Sequence, residues 1–434
     1  MRRLNSLLRT PVFFALSLAV YAIARWAASA GEVATRFPDS LGYEHLNFSG
    51  NIERFWVVPL MYSIVRTDSQ RVILHIAIGV FTWGYLAWRT GSITRLRRVF
   101  ITGVLVLGLT PQIIHFDLAI LSESLGISFA VGAVAATLHL SQSSSRLARL
   151  LWVVFLVLTS FTRPVNLVVV FACAGYSIVK YFLSRHHRHR ASMIFLVSLS
   201  LWGAVQLRGN ESASAVNFYT VLQRRICPNN DAYNWFIAHG LPEIAGLREV
   251  RGYGRSTQLE NDVREIVHLP MQQMPPMTMI AGGVVLAQWV QDHGWTTYAK
   301  YIATHPSSAV RIIQAKAHKT LGPRDETFLP TRTRTIIPHQ LFDPWWAWLM
   351  IALATLAISW LSRAKIRIVQ AMTALGTVTT VVFAASILTS AVEYERHGAT
   401  VAAMVRVLAI ASLALALGRE KAIEPSEDDD VLSR

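Results

Sequence analysis

The chain has 434 residues, 53% of them hydrophobic and only 15% charged, a balance outside ordinary soluble composition that points to a membrane protein. Its formal net charge of +15 would suggest nucleic-acid binding in a soluble protein, but the bases lie mainly in short connections between apolar runs, so no nucleic acid is expected. Cys173 lies in an apolar run and Cys227 in a polar region, which argues against a disulfide, and neither has metal-ligand spacing.

The first element joins a basic segment, MRRLNSLLRT, to the apolar PVFFALSLAV and the small-residue AASAG. This is a membrane span with the ingredients of a secretory signal; cleaved or not, it leaves residue 31 across the membrane. A bilayer core about 30 Å thick needs roughly 20 apolar residues in a helix, because unpaired backbone groups cannot face lipid. Ten spans are predicted, near 11–30, 71–88, 98–115, 119–140, 148–162, 164–183, 191–207, 344–362, 368–391 and 400–418. The chain then divides into an N-terminal transmembrane region 1–207 with a first outer loop at 31–70, an extracytoplasmic region 208–343, C-terminal transmembrane helices 344–418 and a cytoplasmic tail 419–434.

Basic residues of short loops stay cytoplasmic, which tests the parity of these spans. With both termini inside, RTGSITRLRR, SSSRLAR, SRHHRHR and SRAKIR all fall on one side, and TPQIIHFD, FTRPVN and VEYERHGA, poor in cations, on the other. The preference for Arg over Lys suggests a high-GC bacterial genome, hence a bacterial plasma membrane. SRHHRHR reads as an orientation signal and a contact for anionic lipid. The region 208–343 holds AYNWFIAHGLPE and GWTTYAKYIATHP, with enough Gly and Pro to punctuate several short helices.

Polar residues gather at the outer ends of the spans. RFPDSLGYEH places Asp39, Tyr43 and Glu44 just past the first span; HFDLAILSES places Asp117 and Glu123 around the start of the fourth. Six residues apart, those two carboxylates do not share a regular helix face, and Glu123 also suits a helix-start cap. Arg163 precedes a proline at the mouth of the sixth span, where it could equally contact a headgroup. VEYERHGA adds Glu393, Arg396 and His397 before the last span, and Arg406 lies about two turns inside it. A cation at a helix centre costs about 2.5–3.5 kcal/mol, so Arg406 either faces a buried anion or snorkels outward. The motifs of nucleotide loops, HExxH metalloproteases and GxSxG hydrolases are absent from the sequence.

Taken together, FPDSLGY, LSESL, the TRP of FTRPVN and EYERH resemble the GT-C superfamily of integral membrane glycosyltransferases. The resemblance covers residues 1 to about 207 and 344 to 418; it departs from the protein mannosyltransferase relatives in lacking their adjacent Asp-Glu pair. It implies an all-α polytopic fold of about ten transmembrane helices of GT-C type, with a mainly helical extracytoplasmic insertion. The implied activity is inverting transfer of a sugar, arabinofuranosyl or mannosyl in family habit, from a polyprenyl-phosphate donor to a glycan, lipid or protein acceptor. Asp39 is the implied catalytic base. Tyr43, Glu44, Asp117, Glu123, Arg163, Glu393, Arg396, His397 and Arg406 are the implied substrate-binding set, with Arg163, Arg396 and Arg406 as candidates for the phosphate. A divalent ion on Asp117 and Glu123 is compatible with the resemblance but not required by it. A transporter or lipid flippase is the competing reading; it predicts internal repeats, and none is evident.

Overall fold

The computed structural model describes residues 2–50, 52–184, 187–244, 247, 283–322, 332–361, 366–391 and 393–418. The predicted tail 419–434 lies outside them. Among the described residues the fold is helical throughout, relieved by one isolated parallel bridge between Thr35 and Ala119. It is an all-α polytopic membrane fold: among the described residues eight helices are long and apolar enough to cross a bilayer, or nine if one bent pair counts as a span.

The N-terminal region contains α1 (Arg2–Ser29), the short α2 (Val57–Ser63), α3 (Asp68–Ser92), α4 (Arg97–Leu107), α5 (Pro111–Ile114), α6 (Glu123–Gln142), α7 (Arg146–Ser160), α8 (Leu167–Ser184) and α9 (His187–Gly209). Helix α3 begins with a capping box: Thr67 accepts from the Gln70 amide, and the Gln70 side chain accepts from the Thr67 amide, satisfying two donors that have no intrahelical partner. The C-terminal helices are α15 (Trp345–Leu361), α16 (Ile366–Thr389) and α17 (Tyr394–Ala416).

Three of the ten predicted spans differ in detail. The segment 98–115 is broken, with α4 and the α5 turn meeting at 56°. The break falls where Thr110 adopts the extended conformation that the following Pro111 imposes. Helix α7 has 15 residues, as many as the predicted span 148–162, and so reaches only about 22 Å, short of the bilayer core; it is not among the eight or nine helices that could cross. The last span starts at Tyr394 instead of 400, so Glu395, Arg396 and His397 form the first turn of α17. A hydropathy window trims polar residues from a helix start, yet a first turn has free amides and accommodates them where carboxylates are nearby.

Helices α6 and α17 are the buried centre, with 78% and 83% of their spanning windows enclosed, whereas α1, α8, α9 and α16 are each 22% enclosed and line the periphery. Leu16, Val20, Val179, Leu201 and Leu353 are exposed on the peripheral helices, as lipid-facing positions require. Helix α6 packs on α3, α7 and α17; α17 packs on α15 and α16. Their starts stand side by side at one end of the bundle.

The described part of 208–343 folds over that end as α10 (Glu211–Val221), α11 (Asn230–Ala238), α12 (Gly283–Trp289), α13 (Trp295–Thr304) and α14 (Pro306–Leu321). It has its own core around Phe218, Phe236, Trp289 and Tyr298. Gly294 admits the Phe218 ring, which a Cβ there would meet at 2.5 Å. Two π-helical turns, Leu222–Ile226 and Val290–Gly294, interrupt it.

Candidate active site

The first loop is pinned before it presents anything. Thr35 exchanges backbone hydrogen bonds with the 118–120 segment, donating to Leu118 O (2.8 Å) and accepting from the Ile120 amide (3.0 Å). Ser40 donates its hydroxyl to Ile120 O (2.7 Å) and accepts from the Phe37 amide. Residues Pro38–Tyr43 form a 3₁₀ turn that Pro38 initiates with its fixed φ. Asp39 is thereby fixed beside the starts of α6 and α17.

There, one guanidinium meets three carboxylates. Arg396 donates through Nη2 to Asp39 (2.7 Å), through Nε to Glu123 (2.8 Å) and through Nη1 to Glu393 (2.9 Å). Arg54, which the sequence reading did not single out, pairs with the other Asp39 oxygen at 2.7 Å and lies over the Tyr43 ring, 5.4 Å from its centroid. Arg163 lies 3.5 Å from Glu123 and donates to Nδ1 of His397 at 2.6 Å. A guanidinium cannot accept, so Nδ1 must, and the neutral His397 ring carries its proton on Nε2.

The surroundings of the three carboxylates differ. Glu123 is wholly buried; its Oε1 holds the contacts with Arg396 and Arg163, and its Oε2 has no hydrogen-bond partner among the described residues. Asp39 keeps 37% of its side-chain exposure and is open to an incoming group. Burial would raise the Asp39 carboxyl, but the charges of Arg54 and Arg396 outweigh it and hold Asp39 well below the usual carboxylate range. Glu393 sits at φ 51° and is the one non-glycine residue with positive φ among the described residues. That conformation costs on the order of 1–3 kcal/mol, so the turn must be held by its contacts.

Three residues of the implied set lie elsewhere. Asp117 is closed off by both Arg25 nitrogens (2.8 and 2.9 Å) and by the Ser124 hydroxyl (2.7 Å), in a pair exposed by no more than 1%. Arg406 is fully buried but has no anionic partner within hydrogen-bond reach among the described residues. It donates to Phe342 O (2.6 and 3.1 Å) and Ala402 O (3.0 Å) and stacks on Phe342 at 4.1 Å. Ten residues below Arg396 on α17, about 15 Å along the axis, it cannot share a phosphate with that residue. Glu44 belongs to a neighbouring network, accepting from Arg36 (2.8 Å) and Arg71 (2.7 Å), both of which also hold Asp68.

A divalent ion does not fit Asp117 and Glu123. Each carboxylate already faces a guanidinium, whose charge opposes a second cation, and among the described residues no three His, Cys, Asp or Glu side chains converge as ligands. Arg25 carried a signal that the sequence reading passed over: it is an arginine inside a predicted span, and that alone asks for a partner. Arg54 carried none.

Fold and site thus define a polytopic membrane protein with a half-open ion-pair cluster where its two central helices begin. No family model and no curated protein matches the sequence. Among solved structures, the chain is similar at 12% identity and a TM-score of 0.42 to the archaeal oligosaccharyltransferase AglB from Archaeoglobus fulgidus, in complex with an inhibitory peptide and a dolichol-phosphate. The match covers 93% of this chain and 50% of that one, so the chain spans about half the length of that protein. A likeness this distant says nothing of activity.

Proposed function

We propose that the protein is an inverting membrane glycosyltransferase that moves a sugar from a polyprenyl-phosphate donor to an acceptor hydroxyl on the extracytoplasmic side, in a bacterial plasma membrane with both termini cytoplasmic. The observation that carries this reading is Asp39: an ionised, partly open carboxylate clamped between Arg54 and Arg396. The sequence resemblance places a catalytic carboxylate in this first outer loop.

In the proposed reaction the acceptor oxygen attacks the anomeric carbon, the bond from that carbon to the phosphate oxygen breaks, and the acceptor proton passes to Asp39. The lipid phosphate leaves with the bonding electrons. Its low pKa makes Asp39 a weak base, suited to orienting the hydroxyl and taking the proton late, when the acceptor oxygen has become acidic. Arg396 and Arg163 supply fixed positive charge near the leaving group without reorganising, which is how such groups lower a barrier. The acceptor is a cell-wall glycan, glycolipid or protein, and the sugar an arabinofuranosyl or mannosyl unit.

The test is Asp39→Asn in the full chain reconstituted with a polyprenyl-phosphate sugar. It should keep the wild-type thermal midpoint within a few degrees and lose transfer by about 10²–10⁴-fold, the usual contribution of a positioned base. Near wild-type turnover would remove Asp39 from the chemistry.

A further inference from the structure

The Asp39 cluster is electrically balanced: Asp39, Glu123 and Glu393 stand against Arg54, Arg163 and Arg396. A lipid phosphate brings further negative charge, and more develops as it leaves; Arg396 and Arg163 can act on it as preorganised donors, but carboxylates already match their charge, so the donor calls for further cations that no carboxylate pairs with.

Two such cations converge on Tyr394, the residue next to Glu393 and two before Arg396. Arg225, on the π-helical turn Leu222–Ile226, has its Cζ 5.8 Å from the Tyr394 ring centroid and donates to the Tyr394 hydroxyl at 2.9 Å. Its remaining contacts are neutral oxygens: Leu388 O (2.8 Å), Tyr298 Oη (3.2 Å), Ile387 O and Ser390 O. It therefore caps the C-terminal end of α16 and ties Ser390 and Tyr394 to the outer region, while among the described residues no carboxylate pairs with it. On α14, Lys316 has its Nζ 5.2 Å from the same centroid and meets neither a carboxylate nor a hydrogen-bond acceptor among the described residues. A π turn in a helix often marks a functional position, and this one delivers Arg225.

We propose that Lys316, with the fixed charge of Arg225 and the Tyr394 hydroxyl beside it, forms the subsite for the phosphate monoester of a polyprenyl lipid. The inference rests on the transferase reading for the lipid's role but not for its binding. Lys316 is the hydrogen-bonding cation because its three donors are free, whereas those of Arg225 are largely engaged; Arg225 is a positioning residue and a source of charge. The subsite belongs to the outer region, so that region supplies part of the donor site as well as covering the bundle.

The experiment is binding without turnover. The full chain in zwitterionic nanodiscs is titrated with undecaprenyl monophosphate, phosphatidylglycerol and inorganic phosphate. Lys316→Gln should weaken undecaprenyl monophosphate at least tenfold at an unchanged thermal midpoint, with little effect on the other two, and Lys316→Arg should stay within threefold of wild type. Unchanged affinity in K316Q overturns the inference, as does an equal loss for phosphatidylglycerol, which would mark general attraction to anionic lipid, or for inorganic phosphate, which would mark a site for the free ion. If K316Q does not fold, tight binding by K316R supports the subsite and its loss there overturns it. A wild-type protein that binds undecaprenyl monophosphate through Lys316 but never transfers sugar would end the transferase reading and leave the subsite standing. Transfer that depends on Asp39 with full donor affinity in K316Q would do the reverse.

Discussion

Arg396 and Glu123, 273 residues apart in the chain, meet at 2.8 Å where α17 and α6 begin side by side. Both helices start with carboxylates, which their N-terminal dipoles favour, and Arg396 joins those carboxylates into one unit. The contact also fixes the first loop, because the same guanidinium holds Asp39.

Arg396→Lys should therefore be far from conservative. An ammonium is a compact point charge and cannot reach three carboxylates in three directions, so Glu123 would be left buried and underpaired. Transfer should fall by about 10²-fold or more, with a stability loss of about 3 kcal/mol, the low end for breaking a buried pair. Denaturation of the purified variant alongside its turnover checks both; wild-type behaviour in either would show that the triple contact is dispensable.

The pH dependence follows from Asp39. Its folded pKa is depressed, so the carboxylate stays charged as pH falls below the ordinary carboxylate range and is lost only through the depressed folded value. The acid limb of kcat/KM governed by Asp39 should accordingly lie below that range, with no Asp39-linked change in activity or stability from pH 5 to 8. Arg54→Gln removes one of the two cations and should move the limb to higher pH. A limb that stays in place would mean Arg54 does not set the Asp39 charge.

The Arg25–Asp117 pair should behave as structure. Asp117→Asn leaves a buried guanidinium half-satisfied and should cost about 3–5 kcal/mol. Gly79→Ala, which on helix propensity alone would gain about 1 kcal/mol, should destabilise instead, because the new Cβ would lie 2.3 Å from an Arg25 guanidinium that Asp117 and Tyr21 prevent from moving away. Thermal midpoints decide the sign, and a stabilised G79A variant would contradict this account.

Arg406→Met should leave donor affinity within twofold of wild type while lowering stability. The substitution strands the Phe342 carbonyl, worth about 1–3 kcal/mol, and relief of a buried charge offsets part of that. A tenfold loss of donor affinity would put Arg406 back at the phosphate.

The sequence alone determined the class of fold and most of the membrane-spanning helices, because the length and apolarity needed to cross a bilayer are local properties that each segment satisfies by itself. It also located the polar stretches at the ends of the spans and, through their order, Asp39, Glu123, Arg163, Glu393, Arg396 and His397, which do come together. The tertiary structure decided which charges pair. Asp117 and Arg406 read from sequence much like Glu123 and Arg396, yet one is sealed by Arg25 and the other clamps Phe342, because partner choice depends on how buried helices rotate and pack against one another. Arg54, Arg225 and Lys316 lie in polar stretches where a cation is unremarkable, and only the folding of the first loop and of the 208–343 helices onto α17 brings them to Asp39 and Tyr394.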